Sequence, residues 1–547
     1  MTYAYKQLVD SLKQAFPKPI SDKVHDAYFV FSFLRALDRV DRMKSVVPML
    51  GHPEKLDFQA ARHQRIADEP QSLESVSEQL VDYLSGMFIW GHPRSQINVV
   101  GSPTIPSIIG GLLPSIYNPN LCSDETSRKV VQAEVEATSM SADLVGYDAE
   151  KAAGIFSFGG TAALLYGAKI GLEKACPATS QEGVREPAYL LCSDCAHYSC
   201  TTVANWIGLG EKHVKKIPTN SKNEMQTDLL ESELRMLLED GRKIACIVAT
   251  MGTTDAFGID DLETIYEIRQ RFVEEFQLDY TPHIHADAVI GWAWCVFNDY
   301  NFDENPLEFP SRTNRALAGV ARSMKHLKLA DSLGIDFHKT GFTPYTSSLV
   351  LLKDERDLKL ITRGEETTPY LFQTGEHHPG RYTLETSRSG GGPMSALANL
   401  LLFGKQGYRS LIGHLVTMAE VLRDRLEGQA SISVLNRENF GPVTLFRVYP
   451  EGVDTFEVAK REQSDPTYRV EFRNHNEFNR KVFDVVHAAA LKGKGVVISL
   501  TDCYRETDFG EPIPALKSYI MSPFAESQYV DYVLDSVLEA RQTLGHP

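Results

Sequence analysis

Between about residues 125 and 345, short apolar runs alternate with amphipathic stretches, and this alternation restricts the possible folds more than any other feature. Gly154 to Phe158, AYLLCSD, HVKKIPT, KIACIVATM and HIHADAVI read as strands. Between them Ser127 to Leu144, a run from Thr161, HYSCTTVANWIGLG and Asp260 to Phe276 read as helices. KIACIVATM is apolar without a break, as a strand covered on both faces must be. The pattern predicts an α/β chain with a mostly parallel sheet and helices on both faces, whose ligands gather at the carboxyl ends of the strands.

On either side of this region the rhythm changes. Residues 1–95 read as a helical N-terminal segment, with Ser72 to Phe88 apolar at helical spacing and available to pack on the main body or a second subunit. After about residue 405 a helix from Tyr408 leads to ISVLN and PVTLFRVYP, then to a helix near Glu477 to Leu491. GVVISLT, ALKSYIM and a terminal helix from Glu526 follow. Strand pairs mixed with helices predict a small α+β C-terminal domain over 406–547, leaving 96–405 as the large domain.

With 547 residues the chain is long enough for more than one core. A net charge of −16 disfavours nucleic acid or an anionic membrane as partner, although local cations in a cleft can still hold an acidic small molecule. No secretory signal opens the sequence. The most apolar window, Ile105 to Tyr117, is interrupted by Pro106 and Pro114 well short of a span. Eight cysteines, mostly within apolar segments, read as reduced thiols of a cytoplasmic protein. Cys192 and Cys195 form a C-x-x-C, but no second pair or suitably spaced histidines complete a zinc site, so no metal is expected.

Four segments carry chemistry. Ser157-Phe158-Gly159-Gly160-Thr161 lies between a strand and a helix, where glycine permits close approach and free N–H groups attract an anion; a plain turn has the same signature. Asp287 ends a buried strand, where a carboxylate is costly without a cationic or hydrogen-bonding partner. His197 follows another strand and reads equally as an ordinary helix-start histidine. Lys339, beside His338, follows the apolar LADSLGI, and burial there is expected to lower its pKa so that it can act as an amine nucleophile. Each feature alone has a bland explanation.

Their order is more informative. GIFSFGGT … SDCAHYS … VATMGTT … HADAVIG … ADSLGIDFHKTG … PYLFQ resembles the group II pyridoxal-5′-phosphate (PLP) dependent amino-acid decarboxylases, clearly over about residues 90–405 and more loosely beyond. The resemblance implies the fold type I architecture, with a seven-stranded, mostly parallel sheet, and a homodimer with active sites at the interface. It makes Lys339 the Schiff-base lysine and His338 its neighbour. It also makes Asp287 the partner of the pyridinium nitrogen and His197 the histidine stacked on the ring. Val289 stands where the family usually has alanine, Gly160 and Thr161 match the phosphate cradle, and Thr254 lines the same pocket. Tyr370 matches the tyrosine of a mobile catalytic loop, placed to return a proton to Cα. Asp336 departs from an asparagine found in some members. An aminotransferase would use the same apparatus, but Tyr370 and the motif order favour decarboxylation.

For the substrate, the pattern is similar to bacterial PLP-dependent aspartate 1-decarboxylases, which make β-alanine for pantothenate. L-Aspartate is therefore expected, with L-glutamate second and cysteine sulfinate third. Lys517 falls where glutamate enzymes carry an arginine for the distal carboxylate, and Asn98 where they carry a glutamine. A solvated edge-strand charge is the alternative for Lys517. Arg388 falls where the family has an arginine after the lid, and the three glycines from Gly390 suit close backbone approach or a loop-to-helix turn.

Overall fold

The computed structural model describes residues 4–364 and 373–545. Twelve strands occur among them. They are β1 (Ser95–Gln96), β2 (Ala153–Ser157), β3 (Ala188–Ser193), β4 (Val214–Ile217), β5 (Lys243–Thr250), β6 (His283–Asp287), β7 (Ser332–Asp336), β8 (Ser348–Leu352), β9 (Ile432–Val434), β10 (Val443–Val448), β11 (Val497–Glu506) and β12 (Pro512–Tyr519). Seven form one sheet in the order β2-β8-β7-β6-β5-β3-β4, in which only the pairings of β8 are antiparallel.

The side-chain period of two explains why β5 is apolar throughout. Cys246 and Val248 pack with Leu164 and Ala168 of helix Gly160–Ala175 on one face. Ile247 and Ala249 join the larger core on the other face, with Leu230 and Leu234 of helix Thr227–Glu239 and Ile265 of helix Leu262–Glu275. The strands end in register, Thr250 opposite Asp287 and Asp287 opposite Gly334. Chemistry-bearing residues therefore line one edge of the sheet.

The sequence pattern did not anticipate β7 and β8. They form an antiparallel pair with Asp336 opposite Ser348, and Lys339 lies in the connection between them. SLVLL is a fully buried five-residue run, too short for its periodicity to distinguish strand from helix.

The other five strands form a second sheet, β1-β11-β12-β10-β9. Its first strand comes from residues that precede the large sheet, pairing Ser95 with Val497 in parallel. Helix Gly391–Glu427 runs across residue 405 and is interrupted at Gly404, whose φ of 51° places it in the left-handed region. The helix expected over Ser72 to Phe88 stops at Asp82, because the following turn brings Phe88 into a bridge with Met49. Helices Ala4–Leu12 and Lys23–Arg42 bury no residue, although Val30, Phe31, Leu34 and Leu37 lie on the second. No described helix is long and apolar enough to cross a membrane.

Candidate active site

Lys339 sits just past the carboxyl end of β7, and its Nζ lies 2.9 Å from Oδ2 of Asp336, the last residue of that strand. Asp336 is almost fully buried, and its Oδ1 accepts from Ser348 Oγ at 2.5 Å. The structure corrects the expectation of a lowered lysine pKa. Burial pulls the Lys339 amine down, but the carboxylates of Asp336 and Asp287 outweigh it and hold the ammonium above its ordinary value.

Asp287 ends β6 on the neighbouring strand, lining the same cavity of about 320 Å³ as Lys339. Burial raises its carboxyl, opposed by the Lys339 ammonium and by His197. Among the described residues its buried Oδ1 has no hydrogen-bond partner. Such an atom is expensive unless a donor completes it.

His197 belongs to the loop after β3. The Ser199 N–H donates to its Nδ1 at 3.2 Å, which makes Nδ1 the acceptor and leaves the proton of the neutral ring on Nε2. Burial lowers its pKa, so the neutral ring is favoured at neutral pH. His338 is buried, with its pKa lowered by burial and its ring 4.3 Å from that of Tyr345. Val289, Thr254, Gly160 and Thr161 complete the expected set around this cavity. Gly159 has φ 143°, and helix Gly160–Ala175 begins directly after it. A Cβ on Gly160 would stand 2.9 Å from both Asp336 Oδ2 and Val289 Cγ1, so only glycine leaves the space open.

The expected substrate contacts fare differently. Asn98 is exposed and accepts from the N–H of Val99, away from the cavity walls described above. Lys517, on β12, is buried and donates to Asp255 Oδ1 at 2.6 Å, so the solvated-edge alternative does not hold. Asp255 lines a second cavity of about 890 Å³ that shares His197, Tyr198, Thr253 and Thr254 with the first. The Arg505 guanidinium on the same wall is engaged by the Asn220 carbonyl and Asn223 Oδ1. Arg388 lines a separate cavity of about 600 Å³, but its guanidinium is committed to protein partners. It is buried, donates through both Nη atoms to Glu134, and reaches the carbonyls of Phe156 and Leu121. Tyr370 lies outside the described residues.

Asp255, Tyr345 and Ser348 were not singled out by sequence reasoning, and Asp336 was noted only as a departure. For Asp336 the spacing of three from Lys339 was a usable signal. Asp255 had none, because its partner is 262 positions away.

These groups fit PLP. Asp287 Oδ1 is an unpartnered acceptor suited to a protonated ring nitrogen, the Gly159-Gly160-Thr161 helix start suits a phosphate, and Lys339 is the amine for an aldehyde. Comparison with known proteins agrees. Residues 54–301 match the pyridoxal-dependent decarboxylase conserved domain. L-2,4-Diaminobutyrate decarboxylase of Acinetobacter baumannii is 27% identical over 382 residues, 66% of this chain and 68% of that protein. Aspartate 1-decarboxylase of Aliivibrio fischeri is 26% identical over 500 residues, 82% of this chain and 84% of its own. The crystal structure of Oryza sativa TDC with PLP and tryptamine superposes with a TM-score of 0.77 at 15% identity, covering 97% of this chain and 100% of that one. Motif order, sheet topology, site chemistry and these matches converge: the chain is similar to the group II PLP-dependent amino-acid decarboxylases, and it is a carboxy-lyase of fold type I that uses pyridoxal phosphate.

Proposed function

We propose that the chain decarboxylates an acidic L-amino acid, L-aspartate first, giving CO2 and β-alanine at the cavity that Lys339 and Asp287 share. The observation that carries the site assignment is the unpartnered Asp287 Oδ1 beside the Lys339 ammonium. When bound, PLP supplies a sink for the electron pair left at Cα as CO2 departs. Asp287 would keep the ring nitrogen protonated, His197 would offer its imidazole to the ring face, and Lys339 would supply the amine for the aldehyde. Gly160 and Thr161 would hold the phosphate, with Thr254, Val289 and His338 as walls, and Tyr370 is the residue proposed to return the proton to Cα. Asp287→Asn is expected to retain the cofactor while losing roughly 10²- to 10³-fold in kcat, since an amide cannot hold the nitrogen protonated. Absorbance of the bound cofactor alongside single-turnover rates checks this; an unchanged kcat counts against the role.

The aspartate reading is supported by the match across 82% of the chain to an aspartate 1-decarboxylase and by a lysine, Lys517, held by Asp255 on the wall of the second cavity. Glutamate and cysteine sulfinate are the further acidic candidates, with Asn98 a weaker contact because it is exposed. A second reading, a cationic amino acid such as 2,4-diaminobutyrate, is favoured by one observation. Asp255 already holds the Lys517 ammonium, and Asp255 itself lines the second, adjoining cavity. Asp255→Asn separates the two by sign. It frees Lys517, so KM for aspartate should fall several-fold; for a cationic substrate it removes the anchor, and kcat/KM should drop by about 10²-fold or more. Side-by-side product assays with aspartate, glutamate, cysteine sulfinate, 2,4-diaminobutyrate and tyrosine accompany it. Strong preference for tyrosine would defeat both readings.

A homodimer is part of the proposal, supported by the exposed apolar side chains of helices Ala4–Leu12 and Lys23–Arg42. A cytoplasmic location is supported by the eight cysteines, all free.

A further inference from the structure

Among the described residues, two buried side-chain atoms without a hydrogen-bond partner belong to the walls of the Lys339 cavity: Asp287 Oδ1 and Thr250 Oγ1. Strand register sets their residues opposite each other, Thr250 ending β5 and Asp287 ending β6. The pairs Cys246–His283 and Val248–His285 precede them. Cys246 and Val248 pack on helix Gly160–Ala175, and Gly171 and Gly167 of that helix approach His283 and His285. With a side-chain period of two, Thr250 and Asp287 continue the same face, on strands that lie about 4.8 Å apart. The backbone of Thr250 is fixed on both polar groups. Its N–H donates to Asp260 Oδ2 at 2.7 Å, and its carbonyl accepts from the Asp260 N–H at 2.9 Å. One rung further, the Met251 N–H donates to the Asp287 carbonyl at 2.9 Å. What stays adjustable is χ1 of Thr250, whose staggered settings carry the hydroxyl without moving the strand.

We propose that Thr250 is a positioning residue for Asp287: its hydroxyl donates to the carboxylate as the ring nitrogen of PLP engages it, and so fixes the carboxylate toward that nitrogen. Each atom has what the other lacks. A threonine hydroxyl can donate, an ionised carboxylate only accepts, and leaving both unpartnered in a buried place is costly for each. A carboxylate offers about four lone-pair sites, so the hydroxyl and the ring N–H do not compete. Thr250 is 3% exposed, which keeps water from standing in for either partner. Burial works against the charge of Asp287, with Lys339 and His197 opposing it, and a hydrogen bond to the charged form acts in their direction. The effect of Thr250 passes through Asp287.

The inference rests on Asp287 facing the ring nitrogen of PLP, and one experiment separates the two. The full chain, freed of cofactor, is titrated with PLP and with the analogue in which C–H replaces the ring nitrogen, and the ratio of the two affinities is read. Thr250→Val exchanges the hydroxyl for a methyl group of similar size. Its affinity for PLP should fall about 10- to 100-fold, the scale of a hydrogen bond to a charged group, while its affinity for the analogue stays that of wild type. Thr250→Ser, which keeps the hydroxyl, should retain the wild-type ratio. Thermal unfolding should move with the opposite sign. Without cofactor, Thr250→Val should unfold at a higher temperature than wild type, because a buried hydroxyl with no partner has been removed. A role in packing alone would move both readouts the same way. An unchanged ratio in Thr250→Val overturns the inference, as does a serine variant that loses the ratio. A valine variant that is less stable than wild type or fails to fold overturns it too, since the hydroxyl would then have a partner before the cofactor arrives. Equal binding of PLP and the analogue by wild type removes the reading of Asp287 itself, whereas a wild-type preference that survives in Thr250→Val removes only the part given to Thr250.

Discussion

Lys339→Ala is expected to leave a folded chain that no longer fixes PLP on borohydride reduction and decarboxylates roughly 10⁴- to 10⁶-fold more slowly, the scale on which loss of a covalently acting group falls. The geometry explains both halves. Lys339 is the cation beside Asp336 and, through its charge, a stabiliser of Asp287, so its removal takes away the amine and leaves two carboxylates facing one cavity. The surrounding scaffold does not depend on it. Asp336 keeps its bond from Ser348, and β7 and β8 remain paired over five residues from Ser332–Leu352 to Asp336–Ser348. Peptide mapping after reduction, far-ultraviolet circular dichroism and a CO2 assay make the measurement. A reduced adduct persisting in the variant would move the anchor to another lysine.

Arg388→Ala is expected to cost about 3–5 kcal/mol of stability, the penalty for leaving a buried charge unpaired. Arg388 and Glu134 side chains are each 3% exposed. Glu134 also accepts from the Phe156 N–H, and Arg388 donates to the Phe156 carbonyl, so one ion pair clamps both polar groups of a residue in β2. That strand leads directly into Gly159 and Gly160, and loosening it should weaken cofactor binding as well as folding. Urea unfolding of the cofactor-free protein reads the first effect and PLP titration the second. A replacement of both partners, Arg388→Met with Glu134→Leu, should recover much of the stability because it leaves no orphaned charge. A loss below about 1 kcal/mol in the single variant would show that water reaches Glu134 and that the pair is not sealed.

Much of the large sheet was legible from local pattern. β5 announces itself as a continuous apolar run, β3 and β6 as short strands within the strand–helix alternation, and helix Gly160–Ala175 by the glycine pair that opens it. The placement of Asp287 and His197 after buried strands was equally readable, since in a parallel sheet those positions converge on one edge. β7 and β8 were missed because five apolar residues carry too little periodicity. The direction of the Lys339 shift was misjudged because burial is visible in a neighbouring apolar run while the opposing carboxylates are not.

Two partnerships show where local pattern stops. Arg388 meets Glu134 across 254 positions and Lys517 meets Asp255 across 262, so nothing in either neighbourhood announces the other. Lys517 was expected near a ligand and Arg388 only after the lid, and each was found holding a carboxylate. Residue type and order determined the cofactor class and pointed to Lys339 as its proposed anchor, because an amine, a carboxylate and an anion-binding turn have fixed chemical uses. Which charges remain free for a substrate depended on strand register and on the packing of one sheet against the other. Electrostatic strength depends on a few ångströms of separation and on shielding from water, and both exist only once the chain has folded.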